Sequence, residues 1–387
     1  MSIFLFRALS VLIFIGLLHS NEISNDTLYI AYRTYLDSVI ASQNIGLSKH
    51  KREVENHKFL KNADHIYHNA IIFLLENMPE SDYNELDSTL FVENIKYAHL
   101  TRKFEWCKDL LNEDFNNYVL PYAVLDEKRD NWRKIFYDYF STKVIDCEDI
   151  YTAIDSVNRN VLKFTQVEYS TKRPKANQSP IESMDCKIAS CTGLSIILCD
   201  AFRSVGIPSR ICGVPLWSNK IGNHNWVEVK VDGAWHSTEY YPAEKLDGSW
   251  FIADAEVIDI NHLSNRIYST SFEKTNTIFP MVWNLNYSDV YGIDVSKNYL
   301  NTEKNLNEIY YVKVLNRDSK RVKINVKLFD GDSFITEDYS RSEINDINDI
   351  LFFDLKLIKE PIIILEYQGK ELRYTIDKRD KQLIINL

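Results

Sequence analysis

The sequence is short of the residues that interrupt chains or tie them together. With 11 Gly and 9 Pro in 387 residues, collagen-like and low-complexity architectures are excluded, and a hydrophobic fraction of 45% excludes a wholly disordered chain. Cysteine is scarce too. Cys107, Cys147, Cys186, Cys191, Cys199 and Cys212 are too few to build a disulfide scaffold of this length, although an exported protein could pair some of them. Cys186 and Cys191, taken with His224 and His236, lack the short Cys-x-x-Cys spacing of a zinc site, so no metal is expected. Positive charge is in deficit: 45 Lys and Arg against 55 Asp and Glu leave a formal charge of -10. Such a surface has no basic excess for phosphates, which argues against nucleic acid and anionic membranes as partners. Beyond the N-terminus no stretch approaches the 18 apolar residues of a membrane helix, so no integral membrane segment is expected in the mature chain.

What is present begins with Arg7, the apolar run Ala8 to Leu18, and Ser20 ahead of the polar Asn21. That is the layout of a secretory signal peptide, expected to span residues 1–20 with cleavage near Ser20, and it predicts a secreted or periplasmic protein. No Cys follows the run to carry a lipoprotein anchor. From 21 to 160 apolar residues recur at helical spacing, as in Ile66, Ala70, Phe73 and Leu74 before Met78-Pro79, and predict a helical domain. Residues 161–298 form the central, chemistry-bearing part. From 299 to 387 short alternating runs (Ile309 to Leu315, Val322 to Leu328, Leu351 to Leu357, Ile362 to Tyr367, Leu372 to Ile376, Leu383 to Leu387), with Asp330-Gly331 and Gln368-Gly369 as turn signals, predict a β-sandwich. This last domain carries no catalytic constellation and is expected to support the core or bind a partner.

In the central part, Leu194, Ile197, Leu198, Ala201, Phe202 and Val205 fall on one helical stripe, and Gly206 with Pro208 ends the helix. Cys191 is then at the helix start, where free N–H groups and the helix dipole favour a thiolate. Cys199, mid-helix, and Cys212, in a strand, read as buried and inert. Downstream, His224 to Val231 alternates and Asp232-Gly233 is a two-residue hairpin signal. With Val231 opposite Ala234, Trp226 comes opposite Glu239, and His224 lies one diagonal step from Glu239, roughly 7–8 Å by backbone spacing. Cys191 as nucleophile, His224 as base and Glu239 as orienting acid make a triad by role.

The set Cys191-Thr-Gly193, Arg203-Ser-Val-Gly-Ile-Pro-Ser-Arg210, His224-Asn-Trp-Val-Glu228 and Asp232-Gly-Ala-Trp235 resembles the transglutaminase-like superfamily over about Leu162 to Ala255. The segments Phe73 to Pro79, Val119 to Val124 and Asn131-Trp-Arg133 are similar to the helical lead-in of exported bacterial members. The resemblance implies an α+β protein with a papain-like core, in which a helix carrying the Cys packs on a sheet carrying the His and the acid. It also implies acyl transfer through a thioester on a peptide or protein amide, with no metal or organic cofactor. Calcium regulates some relatives, but no EF-hand loop occurs in this sequence. The family's usual acid is Asp; this sequence offers Glu239 at that spacing, with Glu244 as the alternative acid and Asp247 close behind. For the oxyanion, the N–H of Cys191 is joined by Gln178 as a candidate side-chain donor. Two other readings stay open: a cysteine peptidase or amidase, and a non-catalytic surface binding protein that keeps an idle triad.

Overall fold

The computed structural model describes residues 25–45, 47, 52–61, 64–286, 289–301, 309–378 and 380–387. The segment read as a signal peptide lies outside the described residues. Two compact units divide the chain, one of residues 1–252 and 258–299, the other of residues 253–257 and 300–387. The protein is mixed α+β. Among the described residues no helix is long and apolar enough to cross a membrane, and no disulfide links the cysteines.

The first unit opens with α1 (Asn25–Ile45), followed by α2 (His68–Asn77), α3 (Ser88–Leu100), α4 (Trp132–Val144), α5 (Ile150–Thr165), α6 (Pro180–Cys186) and α7 (Cys191–Ser204), with shorter turns between them. Two of these starts have a local cause in a capping box. Asp149 and Thr152 form a capping box at α5, and Ser179 and Glu182 form one at α6, where Pro180 takes the first turn. Met78 caps α2 ahead of Pro79, but Ile66, read as part of the apolar stripe, is 71% exposed in a single 3-10 turn before that helix. α1 is held by polar contacts. The Asp37 carboxylate accepts from the Ser264 N–H and hydroxyl, both at 2.7 Å, and Tyr29 donates to the Trp217 carbonyl at 3.0 Å.

Eight strands follow the helices or lie among them: β1 (Glu168–Tyr169) pairs with β2 (Ile188–Ala189), while β3 (Ser209–Val214), β4 (His224–Val231), β5 (Ala234–Thr238), β6 (Tyr268–Ser271), β7 (Thr277–Ile278) and β8 (Tyr291–Asp294) make one sheet in the order β5-β4-β3-β6-β8-β7. Its neighbours are antiparallel. α7 packs on this sheet and against α4 and α5, and its apolar side chains share one cluster with Val227, Val229 and Val231. The spacing predicts one buried face; in the structure every residue from Thr192 to Ser204 is buried. Among the polar residues on the far side, the Arg203 guanidinium is satisfied internally, reaching the Ala123 and Ser209 carbonyls. Arg133, from the Asn131-Trp-Arg133 segment, is buried as well and donates to the carbonyls of Val119, Pro121 and Arg203. A single guanidinium thereby joins the lead-in to the end of α7.

The second unit has two sheets around one apolar cluster that includes Val312, Val314, Val326, Leu328, Ile363 and Ile385. One sheet orders β10 (Asn325–Asp330), β11 (Ser333–Tyr339), β13 (Pro361–Tyr367) and β14 (Lys370–Thr375) as β11-β10-β13-β14. The other orders β9 (Ile309–Leu315), β12 (Leu351–Asp354) and β15 (Gln382–Asn386) as β12-β9-β15. β11 is absent from the expected strands because all of its residues are exposed, so it has no alternation to read.

Candidate active site

The site starts from the cap of α7. Ser190 has extended backbone, its hydroxyl accepts from the Gly193 N–H at 3.0 Å, and it also donates to the Ala176 carbonyl of the preceding loop. That bond satisfies one of the helix's orphan donors. Gly193 permits the tight approach, since a Cβ there would stand 3.0 Å from the Ala189 Cβ. Cys191 is the first helical residue and is half-buried, in contrast to the thirteen buried residues after it. Burial pushes the Cys199 thiol up to about 11 and the Cys107 and Cys212 thiols upward as well. Those three are protonated at neutral pH, and their reactivity is suppressed.

His224 is the first residue of β4, 2% exposed, and one of its ring nitrogens lies within 4.8 Å of the Cys191 Sγ. Aromatic rings bound it, with centroids of Trp250, Phe251 and Trp226 at 4.7, 5.3 and 6.0 Å. What brings the strand to the helix is the next residue. Asn225 donates through Nδ2 to the Thr192 hydroxyl at 2.7 Å, and its carbonyl accepts from the Ser195 hydroxyl at 3.0 Å. Across the ladder Asn225 pairs with Gly213, where a Cβ would fall 2.0 Å from the Asn225 Oδ1. Glycine in that strand makes room for the amide that ties β4 to α7.

The β4–β5 hairpin has the expected pairing, Val231 with Ala234 through Val227 with Thr238. Asp232 at φ 51° and Gly233 at φ 82° supply the two left-handed positions of the turn. Glu239 follows directly after β5, half-buried, and its Oε2 accepts from the Trp250 Nε1 at 3.2 Å. Glu244 is exposed in the following loop. Asp247 is tied to β5 itself, accepting from the Ser237 N–H at 2.6 Å and hydroxyl at 3.0 Å, with His236 Nδ1 at 2.8 Å. Gln178 is buried and donates through Nε2 to the Ile188 carbonyl in β2 at 3.2 Å. The structure therefore brings Cys191 and His224 together, sets Glu239 against the Trp250 that packs on His224, and leaves Glu244 in solvent.

Beneath this arrangement runs a buried polar chain. Trp226 Nε1 donates to the Tyr299 hydroxyl at 2.8 Å, Tyr299 donates to Glu228 Oε1 at 2.6 Å, and Glu228 Oε2 pairs with Arg210 Nε at 2.7 Å. Arg210 is stacked 3.8 Å from the Trp235 ring centre. The alternate residues of His224-Asn-Trp-Val-Glu228 are thus anchored at Trp226 and Glu228, which sets the register in which His224 is presented.

Three neighbours of the site escape the sequence reading: Asn225, Trp250 and Phe251. Asn225 sits inside a recognised motif, and Gly213 in the facing strand was its signal. Nothing periodic marks Trp250 and Phe251, because the loop from Glu239 carries them back to the strand.

The chain is similar in part to known proteins. Residues 140–254 match the family model for the transglutaminase-like superfamily. The structure of red sea bream transglutaminase is similar over 64% of this chain and 58% of its own, at 9% identity and a TM-score of 0.29. A structure described as a TGase is similar over 42% of this chain and 40% of its own, with 14% identity and a TM-score of 0.25. Another, from Cytophaga hutchinsonii and described as a candidate cysteine protease, covers 43% of this chain and 45% of its own, with 13% identity and a TM-score of 0.25. In each case the chain spans less than two thirds of the compared structure. No curated protein matches the sequence. The segment 140–254, which carries Cys191, His224 and Glu239, belongs to the transglutaminase-like superfamily.

Proposed function

We propose that the protein catalyses thiol-dependent acyl transfer or hydrolysis on a peptide or protein amide, with Cys191 as nucleophile, His224 as base and Glu239 as the acid that orients it. The observation that carries this reading is the approach of Cys191 Sγ and the His224 ring to within 4.8 Å at the start of a buried helix. The imidazole takes the thiol proton, the thiolate attacks the amide carbon, and the oxyanion is met by N–H donors at the head of α7. Imidazolium then returns the proton to the leaving amine, which departs as a thioester forms. Water or a second amine next attacks the thioester and restores the thiol. The reading of an exported protein rests on Arg7 and the apolar run that follows it.

The test is a mass-spectrometric screen of glutamine-containing and other peptides with and without an added primary amine. Ammonia release with amine incorporation identifies transglutamination, ammonia release with water addition identifies deamidation, and backbone cleavage identifies a peptidase. Cys191→Ala should retain the fold and lose at least about a thousandfold in turnover. Wild-type protein that modifies no peptide, and whose Cys191 alkylates no faster than free cysteine, would instead be the binding protein.

A further inference from the structure

Trp250 belongs to no motif, yet it touches two of the three residues named above. Its indole N–H donates to Glu239 Oε2 at 3.2 Å, and its ring centre lies 4.7 Å from that of His224 at an interplanar angle of 52°. The loop that carries it is pinned on both sides. Asp247 is bonded to the Ser237 backbone and hydroxyl of β5, and Phe251 is fully buried with its ring centre 4.5 Å from that of Trp226. These anchors fix the backbone on either side of Trp250.

We infer that Trp250 is a positioning residue of the thiol site: its N–H fixes the carboxylate of Glu239 and its face fixes the imidazole of His224, so that acid and base are aligned before substrate arrives. This rests on the acyl-transfer reading. The chemistry of the side chain suits the task. Indole is a donor only, so it cannot compete with Glu239 for the imidazole proton. A bond to an ionised acceptor is stronger than a neutral one, and it occupies Oε2 while the carboxylate keeps further acceptor capacity for the ring. A phenyl ring at 250 would still cover His224 but would take the indole N–H away from Glu239.

The experiment replaces Trp250 in the full chain by genetically encoded β-benzothienylalanine, in which sulfur takes the place of the N–H and the bicyclic shape is kept. Trp250→Phe and Trp250→Leu are made alongside. The readouts are kcat and KM for the amide reaction, the rate of Cys191 alkylation by iodoacetamide at neutral pH, and Tm. With the sulfur analogue, kcat should fall about tenfold, the scale of losing one hydrogen bond to a charged group, while KM stays at the wild-type value and Tm falls by no more than the few degrees that one lost bond implies, leaving the protein fully folded at the assay temperature. Alkylation of Cys191 should slow in step. Phe should resemble the analogue, and Leu, which also gives up the face contact, should be slower still. Wild-type kcat and alkylation in the analogue would overturn the inference, as would losses that merely follow a fall in Tm. Failure of the underlying reading looks different: the wild-type protein itself then has no turnover and no enhanced Cys191 alkylation, and the positioning role falls with it.

Discussion

Adding one methyl group at Gly213 should uncouple the strand that bears His224 from the helix that bears Cys191. The new Cβ would lie 2.0 Å from Asn225 Oδ1, far inside contact distance, and 3.0 Å from the His224 carbonyl. The Asn225 side chain has to swing away, breaking its 2.7 Å bond to Thr192, and both partners are buried at 4% and 2% exposure. Leaving a buried polar partner unsatisfied costs about 1–3 kcal/mol. At about 2–4 °C per kcal/mol for a large folded unit, Gly213→Ala should lower Tm by roughly 2–12 °C. His224 precedes Asn225 in the chain, so Cys191 alkylation should slow as well. A double-mutant cycle isolates the cause. Asn225→Ala removes the obstructing amide, and Gly213→Ala added to that background should cost much less than in the wild type, a coupling of about 1–2 kcal/mol. Additive losses, or a Gly213→Ala protein with wild-type Tm and alkylation rate, would refute the assignment of this tether.

Other perturbations test separate parts. Glu239→Gln should keep the fold and substrate binding while reducing turnover by several orders of magnitude, whereas Glu244→Gln, altering a solvent-exposed carboxylate, should do much less; steady-state kinetics on both decides which acid serves His224. Arg210→Met strips the cation from the buried Glu228 and should destabilise by about 3–5 kcal/mol in denaturant unfolding, with most of the loss recovered when Glu228→Gln is added. Burial raises the Asp130 carboxyl from 3.8 to about 6 despite the Ile181 N–H at 3.1 Å, so the folded state holds this proton more tightly than the unfolded state does. Its contribution to stability therefore declines as pH rises between about 4 and 6 and then levels off, and Asp130→Asn should flatten that window in unfolding curves measured across it.

The elements that were legible in sequence are those whose signal is local. Six apolar residues at helical spacing identify α7, and Asp232-Gly233 sets the pairing of β4 with β5, because a two-residue turn leaves only one register. Periodicity nevertheless assigns polar side chains to solvent by default. It cannot foresee that Arg203 and Arg133 spend their donors on carbonyls inside the protein, and so it reads a central helix as a surface one. It is silent for β11, whose two faces are both wet. Cys191 and His224 stand out because residue type, helix start and strand start coincide. Asn225 and Gly213 each look ordinary, and only their pairing across the ladder reveals that the absent side chain of one admits the amide of the other.

The longer acid also bears on the loop that returns to it. A Glu carries one more rotatable bond than an Asp, and ordering that bond costs rotamer entropy that an Asp would not incur. Glu239 stands just past the end of β5, where the ladder no longer holds the backbone that bears it, so the additional freedom has to be restrained from elsewhere. The Trp250 indole supplies such a restraint at 3.2 Å, and the polar bonds of Asp247 to β5 keep the loop from drifting. If Glu239 is the acid of the proposed site, its length and the indole N–H at 250 are to be tested together. Trp250→Phe, which removes the donor from the loop, should therefore cost less activity in a Glu239→Asp background than in the wild type, since the shorter carboxylate has less freedom to lose; equal losses in both backgrounds would refute the restraint.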